Sequence, residues 1–188
     1  MIYVDDHIWD FDLQDALATV SQQRREHALR YRHERDQRLS IAAYRLLQRA
    51  LRTEYGIEAP PLFIHDDNGK PLLQDHPDIH FSLSHCHEAV ACAVCRLPIG
   101  IDVETFDHYS PELARQVMNE SELHQILSSP NPAIAFTRLW TMKESYYKLT
   151  GDTASSNIPH LLDHAEGYHF NTIIHPCYIV THCQKAQS

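Results

Sequence analysis

The chain has 188 residues, of which 43% are hydrophobic and 22% are charged, a composition typical of soluble globular proteins. This length is enough to bury a core as one domain or as two small halves packed together. No apolar run is long enough to span a membrane, and the first residues form neither a basic nor an apolar leader. We therefore expect a cytoplasmic protein with no membrane partner.

The formal net charge is −9, yet the charge is unevenly distributed. Residues 24–52 contain nine arginines and three acidic residues, so the rest of the chain is strongly acidic. An acidic chain with one basic helical segment is a poor general binder of nucleic acid, and we expect no nucleic-acid partner. The basic segment suits a small phosphorylated ligand; the alternative is an arginine-rich helix face in contact with solvent.

The first half of the sequence predicts helices and short strands. A short strand within residues 1–12 precedes a segment from 13 to 55 that is predicted to be helical, with one apolar stripe at a spacing of three and four. Gly56 and a Pro-Pro pair end this segment. An Asn-Gly pair within 66–71 predicts a turn. Further strands are expected at 62–64, 79–84 and 89–95.

The run Ile-Gly-Ile-Asp-Val-Glu at 99–104 places two acids at positions i and i+2 of an expected strand. Alternate side chains of a strand point to the same face, so Asp102 and Glu104 would lie together while Ile101 and Val103 pack on the other face. Two adjacent acids repel unless a cation or a proton lies between them, and a hard divalent ion suits carboxylate oxygens. The alternative is a solvated edge strand.

The second half begins with Ser110 and Pro111, a favourable N-cap and first-turn pair. The helix that they start is expected to run toward residue 127 with a break at 119–121. The later elements are a helix at 133–149, a loop at 152–157 and strands at 168–174 and 177–182.

The helix at 133–149, which ends at Gly151, carries a polar stripe beside its apolar one. Trp140, Glu144 and Lys148 are each four residues apart, so an aromatic ring, a carboxylate and an ammonium share one face. The alternative for this stripe is an ordinary surface salt bridge on an amphipathic helix.

Five motifs in this order resemble those of the 4'-phosphopantetheinyl transferase superfamily, and more narrowly its surfactin-synthetase type. The signature pair is the run at 99–104 and Trp-x-x-Lys-Glu-x-x-x-Lys at 140–148. Asn-Gly-Lys-Pro at 68–71 is similar to the family's Gly-Lys-Pro turn, and Phe-Ser-Leu-Ser-His at 81–85 to its Phe-x-x-Ser-His segment. The basic segment 24–55 is similar to the family's first helix.

The resemblance implies an enzyme that transfers 4'-phosphopantetheine from coenzyme A to a serine of an acyl or peptidyl carrier protein, releasing adenosine 3',5'-bisphosphate. It implies that Asp102, Glu104 and Glu144 hold Mg²⁺, with Mn²⁺ as the alternative ion. Lys148 would stabilise or protonate the leaving oxygen. The motifs do not specify which carrier protein is modified.

A serine hydroxyl is a weak nucleophile and needs a nearby base. By the resemblance Glu122 is the expected base, and Glu144 is the alternative because family members differ. A carboxylate bound to a metal is a poorer base, since the cation lowers its proton affinity.

The resemblance also implies a set of residues that bind coenzyme A. Basic residues near the start of the helical segment would bind the 3'-phosphate, a turn residue would lie near the adenine, and a strand end would contact phosphates. His27 stands where the family commonly has a lysine, so phosphate affinity is expected to depend on pH. The set is Arg24, His27, Arg38, Lys70, Pro71, Ser84, His85 and Lys143.

We expect an α+β fold of two pseudo-symmetric halves, each a helix packed on a small antiparallel sheet, with the active site between them. The N-terminal half, 1–104, would contact the 3'-phosphate and the adenine. The C-terminal half, 105–188, would carry the catalytic helix and be shortened relative to other two-half members. A monomer is expected, and a homodimer that covers an exposed sheet edge is the alternative.

Two other functions stay open. One is a catalytically impaired relative that binds coenzyme A or a carrier protein without transfer. The other is a His/Cys metal-binding module formed by His85, Cys86, His87, Cys92 and Cys95. Alternation along a strand would turn Cys92 and Cys95 to opposite faces, which disfavours convergence on one ion.

Overall fold

The computed structural model describes residues 1–151 and 157–186, so most of the loop expected at 152–157 lies outside the described residues. The strands are β1 (Ile2–Asp5), β2 (Phe63–His65), β3 (Pro71–Leu73), β4 (His80–His85), β5 (Val90–Cys95), β6 (Ile99–Thr105), β7 (Tyr168–Ile174) and β8 (Tyr178–Lys185). The helices are α1 (Leu13–Thr19), α2 (Gln22–Leu29), α3 (Glu34–Tyr55), α4 (Pro111–Val117), α5 (Glu120–Leu127) and α6 (Pro132–Thr150). Short 3-10 helices cover Phe106–His108 and Ile158–His164. None of the described helices combines the length and apolarity that a membrane span requires.

In the first half a long helix packs on a three-stranded antiparallel sheet of order β1-β5-β4. The predicted apolar stripe, from Leu39 to Leu51, is the buried side of α3. The helix ends at Gly56, whose φ of 69° is in the left-handed region that favours glycine. Strands β2 and β3 form a separate two-stranded ribbon after it.

The region 13–55, predicted as helical, is divided into three helices. Asp12 caps α1 by accepting a hydrogen bond from the Asp15 N–H, and Ser21 caps α2 by accepting one from the Arg24 N–H. A capping residue has an extended backbone, so the cap at Ser21 separates α2 from α1. Residues 30–33 separate α2 from α3.

The second half repeats the arrangement of the first. Its first strand, β6, is followed by the long helix α6 and then by the hairpin β7-β8, in the sheet order β6-β8-β7. In each half the first strand pairs with the last strand, and one long helix covers the sheet. This confirms the predicted α+β fold with two similar halves. Within the described residues the second half has no counterpart of the β2-β3 ribbon.

Strand β6 belongs to the second sheet because it pairs along its full length with β8. The sheets therefore separate between Cys95 and Ile99, whereas the sequence placed the division after residue 104. The two halves touch through β6: Ile101 and Val103 share a buried cluster with residues of β5 and β8. The apolar side chains of β6 thus lie on the face opposite to Asp102 and Glu104, as the alternation of the sequence predicts.

Helix α6 approaches β6 most closely at Gly100. A Cβ at Gly100 would collide with the carbonyl oxygen of Ser145 and lie 2.8 Å from the backbone nitrogen of Leu149. A residue without a side chain is needed where two backbones come this close. Gly100 therefore sets the distance between α6 and β6, the strand that carries Asp102.

Gly100→Ala is expected to lower the free energy of unfolding by about 3 kcal/mol or more, because the new methyl group meets backbone that cannot turn aside. Gly56→Ala is the control. Its φ is positive and nothing lies within 4 Å of its Cβ position, so only the left-handed conformation costs free energy, roughly 1 to 2 kcal/mol. Urea unfolding followed by tryptophan fluorescence measures both. Equal losses in the two variants would contradict the close approach at Gly100.

Candidate active site

A hydroxyl, a carboxylate and an ammonium meet where β4, β6 and α6 converge. Ser84 Oγ donates to Asp102 Oδ1 at 2.8 Å, and Lys148 Nζ donates to the same oxygen at 2.6 Å and to Ser84 Oγ at 2.9 Å. Asp102 is only 2% exposed, so water screens this charge pair weakly. The three side chains join the two halves of the protein at one point.

Two further carboxylates, Glu104 and Glu144, lie beside this group. Burial and the charge of Asp102 raise the pKa of Glu104 to about 7, and Glu144 adds to the rise. Burial and the charge of Asp102 also raise the pKa of Glu144. Lys148 opposes both shifts without cancelling them. The three carboxylates named from the sequence therefore form one electrostatic site.

The donor atoms of this site fit a hard divalent cation. Asp102 Oδ2 is buried and accepts no hydrogen bond from the described residues, so it can bind a cation, and it lies next to acids whose pKa is raised by burial and by mutual repulsion. Carboxylate oxygens are the ligands that Mg²⁺ and Mn²⁺ prefer, and a cation here would relieve that repulsion.

A second cluster of ligand-type side chains lies at the end of β1. Within the described ranges, Asp5, Asp6 and His7 are the group whose ligand atoms all lie within 4.8 Å of one another; the carboxylates of the candidate site are spaced more widely. Asp6 and His7 are exposed, and Arg49 lies 3.7 Å from Asp5. Exposed acids with an arginine neighbour do not need a metal ion.

The cysteines do not support the alternative of a His/Cys metal module. Cys92 lies in the core of the first half, whereas Cys95 packs against the cluster between the halves, so the two thiols face opposite sides of β5. In the part of the chain that the structure describes, these cysteines form no cluster of three or more closely spaced ligand atoms with His85 or His87.

Two adjoining cavities, of about 360 and 490 Å³, open beside the Asp102 group. Both are lined by Arg24, Phe63, Pro71 and Leu83, so they share a wall; together they are called here the basic groove, with two lobes. One lobe extends to Lys148. Among the described lining residues the one carboxylic acid is Glu26, and the basic side chains are Arg24, His27, Arg30, Lys70, His65, His85 and Lys148.

Arg24 lies where the two lobes meet. Its guanidinium carbon is 5.1 Å from the ring centre of Tyr44 and 5.2 Å from that of Phe63, and Nη1 donates to Ser40 Oγ at 3.1 Å. Arg24 Nε is buried and makes no hydrogen bond to any residue that the structure describes. A buried cationic N–H without an acceptor, at the wall of a groove, suits an anionic ligand.

The predicted turn at 66–71 delivers a lysine to the groove. Gly69 has φ of 81°, and Asp66 Oδ1 accepts hydrogen bonds from the backbone of Asn68 and Lys70. Lys70 Nζ donates to the carbonyl of Leu149 at the end of α6, and burial lowers its pKa. This turn therefore links the two halves across the groove.

The alternation of β4 separates Ser84 from His85. Ser84 points to Asp102, whereas His85 lines the lobe next to α2. Burial and the charge of Lys148 lower the pKa of His85. Of the two residues that the family motif groups together, His85 lines the groove and Ser84 contacts the Asp102 carboxylate beside it.

Arg38 lies outside the basic groove. It pairs with Glu34 Oε1 at 2.9 Å, donates to the carbonyl of Phe11 at 2.7 Å and stacks over the Phe11 ring. These contacts attach the N-terminal segment to α3. Arg38 lines neither lobe of the groove.

Glu122 and Lys143 are brought to each other. Lys143 Nζ lies 2.9 Å from Glu122 Oε2, and the two side chains are 1% and 10% exposed. Lys143 also donates to the carbonyls of Ile158 and Pro159, while Glu122 accepts from the Asn119 N–H in a capping box. Neither residue lines the basic groove.

Several residues of the site were not singled out from the sequence. Ser82 Oγ accepts a hydrogen bond from the Ile101 N–H, which fixes β4 against β6, and Tyr147 lines the lobe at Lys148. The alternation of small polar and large apolar residues in β4 is a signal for Ser82, because a buried strand rarely places hydroxyls at alternate positions without partners. Tyr147 had no comparable signal.

Comparison with known families agrees with this geometry. Residues 98–176 match the family model described as the 4'-phosphopantetheinyl transferase superfamily, and residues 9–96 match that of the 4'-phosphopantetheinyl transferase N-terminal region. The two matches meet between β5 and β6, where the two sheets separate.

Curated relatives carry the same name. The chain is 29% identical over 153 residues to the 4'-phosphopantetheinyl transferase Sfp of Bacillus subtilis strain 168, an alignment that covers 80% of this chain and 68% of Sfp. It is 30% identical over 154 residues to a second 4'-phosphopantetheinyl transferase of Bacillus subtilis, with the same coverage. It is 32% identical over 162 residues to the 4'-phosphopantetheinyl transferase HetI of a Nostoc strain, covering 78% of this chain and 68% of HetI.

The fold and the site thus define an enzyme of the 4'-phosphopantetheinyl transferase class. The chain belongs to the 4'-phosphopantetheinyl transferase superfamily, and its similarity to Sfp agrees with the resemblance to the surfactin-synthetase type.

The pKa of Glu104 predicts how stability depends on pH without a divalent ion. In the folded protein the pKa of Glu104 is about 7, above the ordinary 4.5, so binding of a proton by this carboxyl favours the folded state. This contribution to the free energy of unfolding is complete below pH 4.5 and is lost as the pH rises through 7. The loss is up to about 3 kcal/mol. Thermal unfolding in EDTA between pH 5 and 8 should show a steeper decline for the natural protein than for Glu104→Gln.

Mg²⁺ should raise the unfolding temperature more at pH 8 than at pH 5, because protons compete with the cation for the same oxygens. Glu112→Gln, at an exposed acid of α4, serves as the control and should follow the natural protein. If the unfolding temperatures of the natural protein and of Glu104→Gln in EDTA changed with pH in parallel, the raised pKa of Glu104 would be contradicted.

Proposed function

We propose that this protein transfers the 4'-phosphopantetheine group of coenzyme A to a serine hydroxyl of an acyl or peptidyl carrier protein. The serine oxygen attacks the phosphorus next to pantetheine, the bond from that phosphorus to the oxygen of the adenosine 5'-phosphate breaks, and adenosine 3',5'-bisphosphate leaves. The serine proton passes to a base of the protein. The reaction takes place in the cytoplasm and the active unit is a monomer, because one chain supplies the whole groove.

The observation that carries this proposal is the basic groove of an otherwise acidic chain. Coenzyme A has a phosphomonoester at one end of its nucleotide and a pyrophosphate at the other. The groove offers Arg24, His27 and Arg30 in one lobe and Lys70 and Lys148 in the other. The second lobe reaches Lys148, whose ammonium donates to Asp102 of the carboxylate site, so the pyrophosphate would lie close to the point where charge develops during its cleavage.

Asp102, Glu104 and Glu144 would hold Mg²⁺ or Mn²⁺. When bound, such an ion neutralises charge on pyrophosphate oxygens and so favours phosphoryl transfer. Lys148, which already donates to Asp102 and lines the groove, stabilises negative charge on the leaving oxygen. Ser84 donates to Asp102 and holds that carboxylate in place.

The base is one of the two glutamates named from the sequence. Position favours Glu144, which lies in the carboxylate site: one of its oxygens would bind the metal and the other would accept the proton, although the bound cation lowers the proton affinity of the group. Glu122 Oε2 is already engaged by the Lys143 ammonium and by the Asn119 N–H, and Glu122 does not line the groove in which coenzyme A would bind.

The direct test is intact-mass spectrometry of unmodified carrier proteins after incubation with the protein, coenzyme A and Mg²⁺, with and without EDTA. A metal-dependent gain of one phosphopantetheine, with an acyl or a peptidyl carrier, is expected. If coenzyme A binds but no carrier of either type gains mass, the protein is the binding-only relative instead.

Asp102→Asn should lower the rate of transfer at least about a hundredfold, because it removes a charged donor at the point of phosphoryl transfer. It should leave the fold intact, since the packing face of β6 is unchanged. Glu112→Gln, which removes an exposed acid, should transfer at the natural rate. Undiminished transfer by Asp102→Asn would contradict the assignment of the metal site.

His27 should make recognition of the phosphomonoester depend on pH. Burial and the charges of Arg24 and Arg30 lower its pKa, and a phosphate in the same lobe favours its protonated form. The ratio of the Kd of dephospho-coenzyme A to that of coenzyme A should therefore rise as pH falls from 8 to 5.5, by about tenfold. Calorimetry measures both ligands.

His27→Gln should give a ratio that changes much less with pH, whereas His169→Gln, at an exposed histidine of β7, should behave as the natural protein does. A ratio that is constant with pH in the natural protein would show that His27 does not contact the phosphate.

A further inference from the structure

Lys143 has the surroundings of a structural ammonium. It is one of the most deeply buried large side chains of the protein, and its three N–H groups match three acceptors: Glu122 Oε2 at 2.9 Å, the Ile158 carbonyl at 3.0 Å and the Pro159 carbonyl at 2.9 Å. No donor is left for a phosphate. Burial lowers the pKa of this lysine, and the hydrogen bond with Glu122 and its charge oppose that shift.

The Oε2 oxygen of Glu122 also has its partners within the protein. Its Oε2 accepts from Lys143 and from the Asn119 N–H, and its own N–H donates to Asn119 Oδ1 at 2.9 Å. The carboxylate therefore joins the start of α5 to α6. The Ile158 and Pro159 carbonyls bring the chain that returns from α6 to the same ammonium.

The position of Lys143 on α6 gives this contact a consequence for the active site. Successive residues of a helix are about 100° apart, so Lys143 and Ser145 lie on nearly opposite sides of α6. Ser145 rests on Gly100 of β6, and Lys143 is bound by α5 and residues 158–159. Glu144 and Lys148 project between these two contacts.

We propose that the Glu122–Lys143 ion pair is a positioning pair that fixes the rotation of α6, so that Glu144 and Lys148 are presented to Asp102, and that neither member of the pair contacts substrate. This assignment differs from the sequence expectation of Glu122 as base and Lys143 as a coenzyme A contact. The link to catalysis rests on the proposed transfer function; the geometric part does not.

A buried pair that positions a helix should be sensitive to loss of one partner and less sensitive to loss of both, since the single change leaves a buried charge without a counter-ion. Lys143→Met should lower the unfolding temperature by roughly 10 °C. Glu122→Gln/Lys143→Met should recover about half of that loss. Glu112→Gln, in an exposed pair of α4, should leave the temperature unchanged.

Positioning, as opposed to stability alone, is tested by Mn²⁺ binding to the free protein, measured by electron paramagnetic resonance without coenzyme A. Glu122→Gln and Lys143→Met should weaken Mn²⁺ binding about tenfold if rotation of α6 displaces Glu144. Their Kd for coenzyme A without metal should stay within about twofold of the natural value, because the basic groove is not altered.

Three results would overturn the proposal. A lower unfolding temperature with unchanged Mn²⁺ affinity would make the pair merely structural. Glu122→Gln with natural stability and Mn²⁺ affinity, but without the pH limb of kcat/KM that reports the base, would make Glu122 the base. Lys143→Met that loses only coenzyme A affinity would make Lys143 a substrate contact.

The proposed function can fail separately, because absence of transfer by the natural protein would leave the unfolding and Mn²⁺ measurements intact.

Discussion

The contact between α6 and β6 at Gly100 is the constraint on which the rest of the site depends. Because the backbone of the helix touches the strand there, Lys148 on α6 can reach Asp102 on β6 at 2.6 Å. A helix one methyl group further away would leave the carboxylate and the ammonium apart in a region with little water, where unpaired charges are costly. Backbone proximity in the second half thus determines the electrostatics of the site.

The first half supplies polar side chains that contact β6 and α6. Ser82 and Ser84 of β4 reach across to β6, one to a backbone N–H and one to Asp102. Lys70 reaches the last carbonyls of α6 from its turn. Each half therefore contributes strands and a long helix to its own core, and polar side chains cross between the halves beside the groove.

The sequence predicted much of this arrangement because its signals are local. The i, i+2 spacing of Asp102 and Glu104 fixes their common face, and Gly56 and Gly151 mark the ends of the two long helices. The division of 13–55 into three helices was missed, since the cap at Ser21 lies inside a pattern whose propensity continues on both sides.

The partners of Glu122 and Lys143 could not be predicted, because a buried ion pair depends on which helix faces meet. Residues 119–127 and 158–164 come together on α6 only through tertiary packing, and no periodicity in the sequence specifies that contact. Arg38 presents the converse case. Its motif position indicates a ligand contact, yet the carbonyl of Phe11 lies within its reach.

Both faces of β4 contribute to the site, and this limits the insertions and deletions that the strand can tolerate. Leu83 and His85 line the groove, whereas Ser82 and Ser84 hold β6. A one-residue insertion or deletion in the 86–89 connection that shifted β4 against β5 would exchange the two faces at once. A substitution here changes one face of the strand at a time, whereas a change in the length of this hairpin would alter both faces together.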